Sequence, residues 1–318
     1  MKKNIPIIIG VCVFVIIVLA ASALLQKGRS VETVVSSGVD GLYTARNNKL
    51  YYRSGESLVL QDLKTKSVQK IEAKFNSADL SEDGGRLFVR TMTDYKLKGK
   101  IYDLKTDSYE STVYTNFIDN LWCNNQLVIV QEQKSGGYTV LNEKGKALYS
   151  NVPSSQLYCV QNNLVYDSTL ATSTTIEERE VRLRFLAEKK SEQELNVGSP
   201  AGPILQSASG LWYFEHGNKL SQLTPQKKNQ FKLGSTENLL SKEELGTVYV
   251  LGSNEQTGKS ITLTTIDVLS GNNASVGEYA LTKGQQLQST NEKESTVIYK
   301  DGNYLYFVLN NTIARLKL

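Results

Sequence analysis

Apolar and polar positions alternate in short runs along most of the chain, and the runs repeat. NNKLYYR from Asn47, NNQLVIV from Asn124 and NNLVY from Asn162 each set a polar turn before a run of β-branched or aromatic residues. SGLWYF from Ser209, GTVYVLG from Gly246, DGGRLFVR from Asp83 and STVIYK from Ser295 follow the same plan. A run of four to six such residues entered from a turn is the pattern of a buried strand. With Leu50, Leu87, Leu127, Leu164, Leu211, Val248 and Val297 as markers, the successive spacings are 37, 40, 37, 47, 37 and 49 residues.

A second echo follows the first within the units. QDLKTKS starts at Gln61 and YDLKTDS at Tyr102, with weaker relatives in LNEKGKALYS from Leu141 and IDVLSGNNAS from Ile266. Each places Asp or Asn after an apolar strand residue and then a short polar stretch. Such side chains bond their own backbone, so the echo predicts a hairpin turn rather than a chemical motif. Repeats of about 40 residues carrying four short strands predict an all-β fold, a β-propeller of four-stranded antiparallel blades. One blade cannot cover both of its faces, so the blades must pack radially. Seven blades fit the spacings, although the two longest gaps also accommodate six or eight. Val31 to Val35 are placed to add an outer strand to the last blade and close the ring.

The stretch from Ala78 to Thr106, ADLSEDGGRLFVRTMTDYKLKGKIYDLKT, resembles the WD40-like propeller repeat of exported, TolB-type bacterial proteins. Ser81, Asp83 and Gly84 match the first turn of that repeat, and Ile101, Asp103 and Thr106 match the second. The resemblance covers one unit well and implies a fold, not a function.

The pattern breaks between Tyr166 and Leu195. DSTLATSTTIEEREVRLRFLAEKKSEQ is longer than a hairpin needs and rich in Ser and Thr. Thr175 with Glu178 is a capping pair in form, yet Val181, Leu183 and Phe185 alternate as in a strand, so a long exposed loop followed by a strand is expected. Loops of this kind on a rigid scaffold are where partners bind.

The N-terminus is of another kind. IPIIIGVCVFVIIVLAASALL, residues 5–25, runs without a charge and is long enough as a helix to span a bilayer of ~30 Å. The expected organisation is a short cytoplasmic tail (1–4), a transmembrane signal anchor (5–25), a linker (26–40) and the propeller (41–318). The rival reading is a cleaved signal peptide ending at Ala21-Ser22-Ala23. Either way the domain is exported; the anchored reading puts a single-pass protein in the cell membrane with its bulk on the extracytoplasmic side.

Charge narrows the partners. The chain carries 36 Lys and Arg against 32 Asp and Glu, and Lys2, Lys3, Lys27 and Arg29 flank the apolar segment. The remainder is neutral, which argues against nucleic acid as a partner. The membrane, through the N-terminal helix, an envelope protein and a glycan remain as expected partners.

Little chemistry is evident. The single histidine, His216, precedes Gly217-Asn218 and reads as part of a turn. No His or Cys cluster has ligand spacing, so no metal and no cofactor are expected. Cys123 and Cys159 read either as buried thiols or as a disulfide. DLSEDGG, from Asp79, lacks the ligand pattern of a calcium loop. Asp79 and Asp119 fall at similar places in successive units and are candidates to face a central channel. Together with Trp122, Tyr158 and Trp212 they are the expected ligand or partner contacts. The leading expectation is a non-enzymatic interaction or scaffolding module of the cell envelope, with a glycan or cell-wall receptor as the alternative and a hydrolase or lyase behind it. Protease shaving of intact cells should remove the domain; an uncut domain where known surface proteins are lost would overturn the exported reading.

Overall fold

The computed structural model describes residues 30–94, 96–168, 181–187, 193–201, 204–207, 209–215, 219–233, 238–241, 246–253, 260–281, 285 and 297–318. The expected membrane segment, His216 and residues 169–180 of the pattern break lie outside the described residues. Among the described residues no helix is long and apolar enough to cross a membrane.

The strands follow the predicted repeat. After β1 (Glu32–Val35), the first blade is formed by β2 (Gly41–Arg46), β3 (Lys49–Ser54), β4 (Ser57–Asp62) and β5 (Val68–Ala73). The second comprises β6 (Phe75–Leu80), β7 (Arg86–Thr93), β8 (Lys96–Asp103) and β9 (Ser108–Thr115). The third comprises β10 (Asp119–Cys123), β11 (Gln126–Glu132), β12 (Tyr138–Asn142) and β13 (Ala147–Val152). The fourth holds β14 (Leu157–Val160), β15 (Asn163–Asp167), β16 (Val181–Phe185) and β17 (Glu194–Gly198). The fifth holds β18 (Leu205–Ser207), β19 (Gly210–Glu215), β20 (Lys219–Leu223) and β21 (Lys228–Lys232). Then come β22 (Asn238–Ser241), β23 (Thr247–Ser253), β24 (Ser260–Asp267) and β25 (Asn273–Ala280), followed by β26 (Val297–Asp301), β27 (Tyr304–Leu309) and β28 (Thr312–Lys317).

These last seven strands and β1 form one eight-stranded sheet in the order β1-β28-β27-β26-β22-β23-β24-β25. The expectation of seven separate blades is thereby corrected to five four-stranded blades and one larger sheet. The physical reason is a short parallel pairing of Leu240 with Val297 and Ser241 with Ile298, which joins two antiparallel four-strand halves through β22 and β26. The stretch expected to be a linker contributes β1, which pairs antiparallel with β28, Glu32 opposite Arg315 and Thr33 opposite Ala314. Val31 also donates its N–H to the Ala280 carbonyl at 3.1 Å and is itself buried, so the chain start is sewn to both halves of the sheet. Alternation at β16 is as expected, with Val181, Leu183 and Phe185 buried and Arg182 and Arg184 exposed.

The core is divided among the spaces between sheet units. Tyr51, Leu58 and Tyr43 of the first blade pack with Phe75, Leu87 and Tyr102 of the second. Phe88 and Ile101 of the second pack with Trp122, Leu127 and Ile129 of the third. Leu42 and Leu50 meet Tyr306 and Ile313, which brings the last strands against the first blade. Burial of this kind contributes roughly 25 cal/mol per Å² of apolar surface, so each unit is stabilised by its neighbours.

Turn chemistry explains both echoes. Asn47-Asn48, Asn124-Asn125 and Asn310-Asn311 all have positive φ, the backbone of tight two-residue hairpins that Asn tolerates. In the DLKT turns, Asp62 Oδ1 accepts from the N–H groups of Lys64 and Thr65 at 2.8 and 2.9 Å, and Asp103 Oδ1 from those of Lys105 and Thr106 at 2.7 and 2.9 Å. The Thr106 and Thr65 N–H groups hold these two carboxyls below the usual carboxylate range. Asn142 and Asp267 accept from their own turns in the same manner. The two DLKT copies diverge at their next residue. Where the first has Lys66, the second has Asp107, which accepts from Lys49 and from the Tyr51 hydroxyl and so pins the second blade to the first.

Two further contacts set the packing. Cys123 of β10 and Cys159 of β14 form a disulfide, with Cα atoms 5.4 Å apart, between the third and fourth blades. Gly99, in the middle of β8, faces Phe88, and any Cβ there would overlap the ring. Phe88 in turn makes edge contacts with Tyr114 and Phe117. Gly99→Ala is therefore expected to destabilise the protein by roughly 1–3 kcal/mol, an overpacking cost that Phe88→Leu in the same chain should partly relieve in urea unfolding. Replacing both cysteines by serine should lower stability by roughly 4 kcal/mol from the loop-entropy of a closure spanning 36 residues, with the same loss on reducing the native protein.

Candidate functional site

First strands of successive units run side by side around an axis, β2 beside β6, β6 beside β10, β10 beside β14, β14 beside β18, and β26 beside β2. Residues at corresponding positions of these strands therefore come together although they are far apart in sequence. Asp79 of β6 and Asp119 of β10 are such a pair, and Arg90 of β7 reaches both. Arg90 Nη2 donates to Asp79 Oδ2 at 2.9 Å, and Arg90 Nη1 stands 3.7 Å from Asp119 Oδ1. Asn120 Nδ2 donates to the same Asp79 oxygen at 3.2 Å, and Trp122 Nε1 donates to the Asp79 carbonyl at 2.9 Å. The Arg86 guanidinium lies 4.7 Å from the centre of the Trp122 ring.

A cavity of about 80 Å³ opens beside this cluster, lined by Tyr43, Asp79, Glu82, Asn120, Trp122 and Tyr299 with flanking apolar and amide groups. It shares Leu80, Glu82 and Tyr299 with a wider mouth of about 370 Å³, bordered by Arg46, Asp83, Lys300 and Asp301. The turns at this end are laced together. Asp301 accepts from the N–H groups of Asn47 and Asn48 at 3.0 and 2.7 Å, the Asp83 N–H donates to Asn125 Oδ1 at 2.8 Å, and the Asn125 N–H donates to Glu82 at 3.2 Å. Arg46 Nη1 donates to the Gly84 carbonyl at 2.5 Å.

The expected contacts divide accordingly. Asp79, Asp119 and Trp122 are brought together at the axis. Trp212 is buried between β18–β21 and the following sheet, stacked on Phe231 with its Nε1 near the Ser207 and Ser209 hydroxyls, and presents no ring to solvent. Tyr158 is half-buried against the apolar cluster of the fourth and fifth blades. The three aromatics thus do not form one exposed platform. Sequence reasoning missed Arg90 and Asn120, which sit in strand positions with no motif; the equal spacing of Asp79 and Asp119 from their unit markers was the one usable signal.

Electrostatically, the mouth is a set of matched turns. Burial pushes the Asp83 carboxyl up, but the Ser81 hydroxyl, the Gly85 N–H and Arg86 outweigh it and hold the group below the usual carboxylate range. Arg86 Nη1 also pairs with Glu143 at 3.0 Å. Among the described residues no group of three or more His, Cys, Asp or Glu is placed to hold a metal ion.

No protein-family model and no curated protein sequence matches this chain. Solved structures resemble it. The β-propeller domain of the trilobed protease from Pyrococcus furiosus aligns with a TM-score of 0.53 at 12% identity, over 85% of this chain and 92% of that one. An acylaminoacyl peptidase from Pyrococcus horikoshii aligns with a TM-score of 0.56 at 13% identity, over 88% of this chain and 51% of that one. An uncharacterised protein from Listeria monocytogenes gives 0.52 at 11% identity, over 87% and 88%. The likeness is one of fold, a β-propeller with four-stranded antiparallel blades.

Arg90→Met should cost about 2–3 kcal/mol, less than a fully buried pair because both Arg90 and Asp79 keep some solvent contact, and Asp79→Asn in the same chain should cost less than the two single changes added. Asp83 has a lowered folded pKa, so its contribution is complete above the ordinary carboxylate value of about 3.9 and is lost as pH falls through the folded one. Stability measured on the acid side of about pH 4 should fall more steeply in the native protein than in Asp83→Asn.

Proposed function

We propose that this chain is an exported, membrane-anchored β-propeller of the TolB-like kind that works as an interaction or scaffolding module of the cell envelope. The observation that carries the proposal is the disulfide between Cys123 and Cys159, since such bonds persist in oxidising compartments and are rare in the reducing cytosol. The apolar run at residues 5–25 supplies the anchor in this reading, and β1 follows it closely enough to hold the propeller at the membrane surface. The laced turns around the axial mouth offer a rigid, charged binding surface, the usual arrangement in which a scaffold presents its loops.

Asp79 and Asp119 both face Arg90, at 2.9 and 3.7 Å, an arrangement that favours an ion-pair role for the two carboxylates over the hydrolase or lyase reading.

Two measurements test the proposal. Cells lysed in the presence of a thiol trap should yield protein whose Cys123 and Cys159 are labelled only after reduction; full labelling without reductant would overturn export. On blue-native gels the full-length protein in mild detergents should migrate above its own mass with a second protein, and a lone monomer in every detergent would count against the scaffold.

A further inference from the structure

The turns that ring the axial mouth fix their own backbones but leave side-chain hydrogen-bonding capacity facing the space between them. Thr44 of β2 lines the mouth and is only 4% exposed, and among the described residues its hydroxyl has no hydrogen-bond partner. A bulge sets Leu42 opposite Tyr52 but Thr44 opposite Tyr51, so Thr44 leaves the apolar face that Leu42 occupies. Its hydroxyl is satisfied by what enters the mouth. Planar groups stand around it. Arg46 donates from Nη1 to the Gly84 carbonyl and keeps further N–H groups in the same plane. Asp83 is exposed and uses Oδ1 for the Ser81 hydroxyl and the Gly85 N–H, which leaves Oδ2 to accept from outside. The Asn47 backbone is held by Asp301, while its side-chain amide is exposed at the rim.

Charge decides against an ionic ligand. Arg46 and Lys300 are interleaved on the lining with Glu82, Asp83 and Asp301. Each of these carboxylates already accepts from backbone N–H groups, those of Asn125, of Gly85, and of Asn47 and Asn48. Neither an ammonium nor a phosphate therefore meets an unanswered field of opposite sign. A neutral ligand rich in hydroxyls fits better, because each hydroxyl both donates and accepts. Two hydroxyls on adjacent carbons also match a guanidinium, a carboxylate or a primary amide in two-pronged fashion. An extended peptide would need apolar pockets for alternate side chains, whereas this lining is mostly polar. Tyr299 adds an aromatic wall for the C–H face of a sugar ring. At about 370 Å³ the mouth falls within the roughly 300–1,000 Å³ of small-molecule sites.

We propose that the axial mouth binds a neutral mono- or disaccharide unit, with Thr44, Arg46, Asn47 and Asp83 as partners of its hydroxyls and Tyr299 as the aromatic wall. The mouth alone carries this reading, which requires neither export nor a protein partner. A free sugar and the end of a longer glycan carry the same chemistry and are its two sources.

The test uses the full chain at neutral pH in a polyoxyethylene detergent, since alkyl glycoside detergents carry a sugar head that would compete. Saturation-transfer NMR titrations are run with N-acetylglucosamine, the methyl glycosides of glucose, mannose and galactose, and a β-1,4-linked N-acetylglucosamine tetramer. Cyclohexanol, n-butylamine and a short capped neutral peptide serve as controls. At least one saccharide should bind saturably with a Kd of about 1 mM or tighter, and the controls should not. A monosaccharide that binds as tightly as the tetramer assigns the site to free sugars; a tetramer at least tenfold tighter assigns it to a longer glycan. Thr44→Val removes the hydroxyl at similar shape. Asn47→Gly removes the amide while suiting the positive φ of that turn, and so guards against a folding defect in the first. Each should weaken binding by about fivefold or more. No saturable binding by any saccharide, equal binding of cyclohexanol, tighter binding of butylamine or the peptide, or an affinity unmoved by both substitutions would overturn the proposal.

Discussion

A four-stranded sheet with apolar side chains on both faces is stable only if both faces are covered, and in this chain the cover is always another copy of the same unit. Each apolar cluster draws on neighbouring units, down to the pairing of Leu42 and Leu50 with Tyr306 and Ile313 where the last strands meet the first. Ring closure is therefore a condition for burying every core. It is met by the chain's own start: β1 completes the edge of β28 while Val31 bonds Ala280, so one short segment holds the two halves of the eight-stranded sheet. Backbone hydrogen bonds that would otherwise sit at an open edge are paired in the same step.

Once the ring is closed, its axis collects what the sequence scatters. First strands converge there, and their polar residues have to be satisfied at close quarters. Arg90 answers Asp79 and Asp119, Trp122 ties its indole to the backbone of the neighbouring strand, and the tight turns at one end bond across unit boundaries. These contacts fix the axial groups relative to one another, which is what a recognition site needs. The disulfide adds a covalent tie between the two first strands β10 and β14 and strengthens the same ring.

The repeat was legible because turns and strands are local. An Asp or Asn that bonds its own backbone and a β-branched run that must be buried leave marks at fixed spacing, and the DLKT copies carry the same two hydrogen bonds. What the repeat did not show is that the final units join. The parallel contact of Leu240 and Ser241 with Val297 and Ile298 depends on how closely two first strands approach, and no residue type marks that distance. Trp212 misled for a related reason: an aromatic in a strand run is equally compatible with a surface and with an inter-blade core, and only packing against Phe231 chose between them.

From sequence alone came the strand repeat, the turn chemistry, the apolar N-terminal run and the nearly neutral remainder, all of which depend on residues close together in the chain. Tertiary structure decided the pairing of Cys123 with Cys159, the capture of two carboxylates by Arg90 and the assembly of the axial mouth around Thr44. Those depend on side chains from different strands arriving within a few ångströms of one another. Only closure of the ring brings them there.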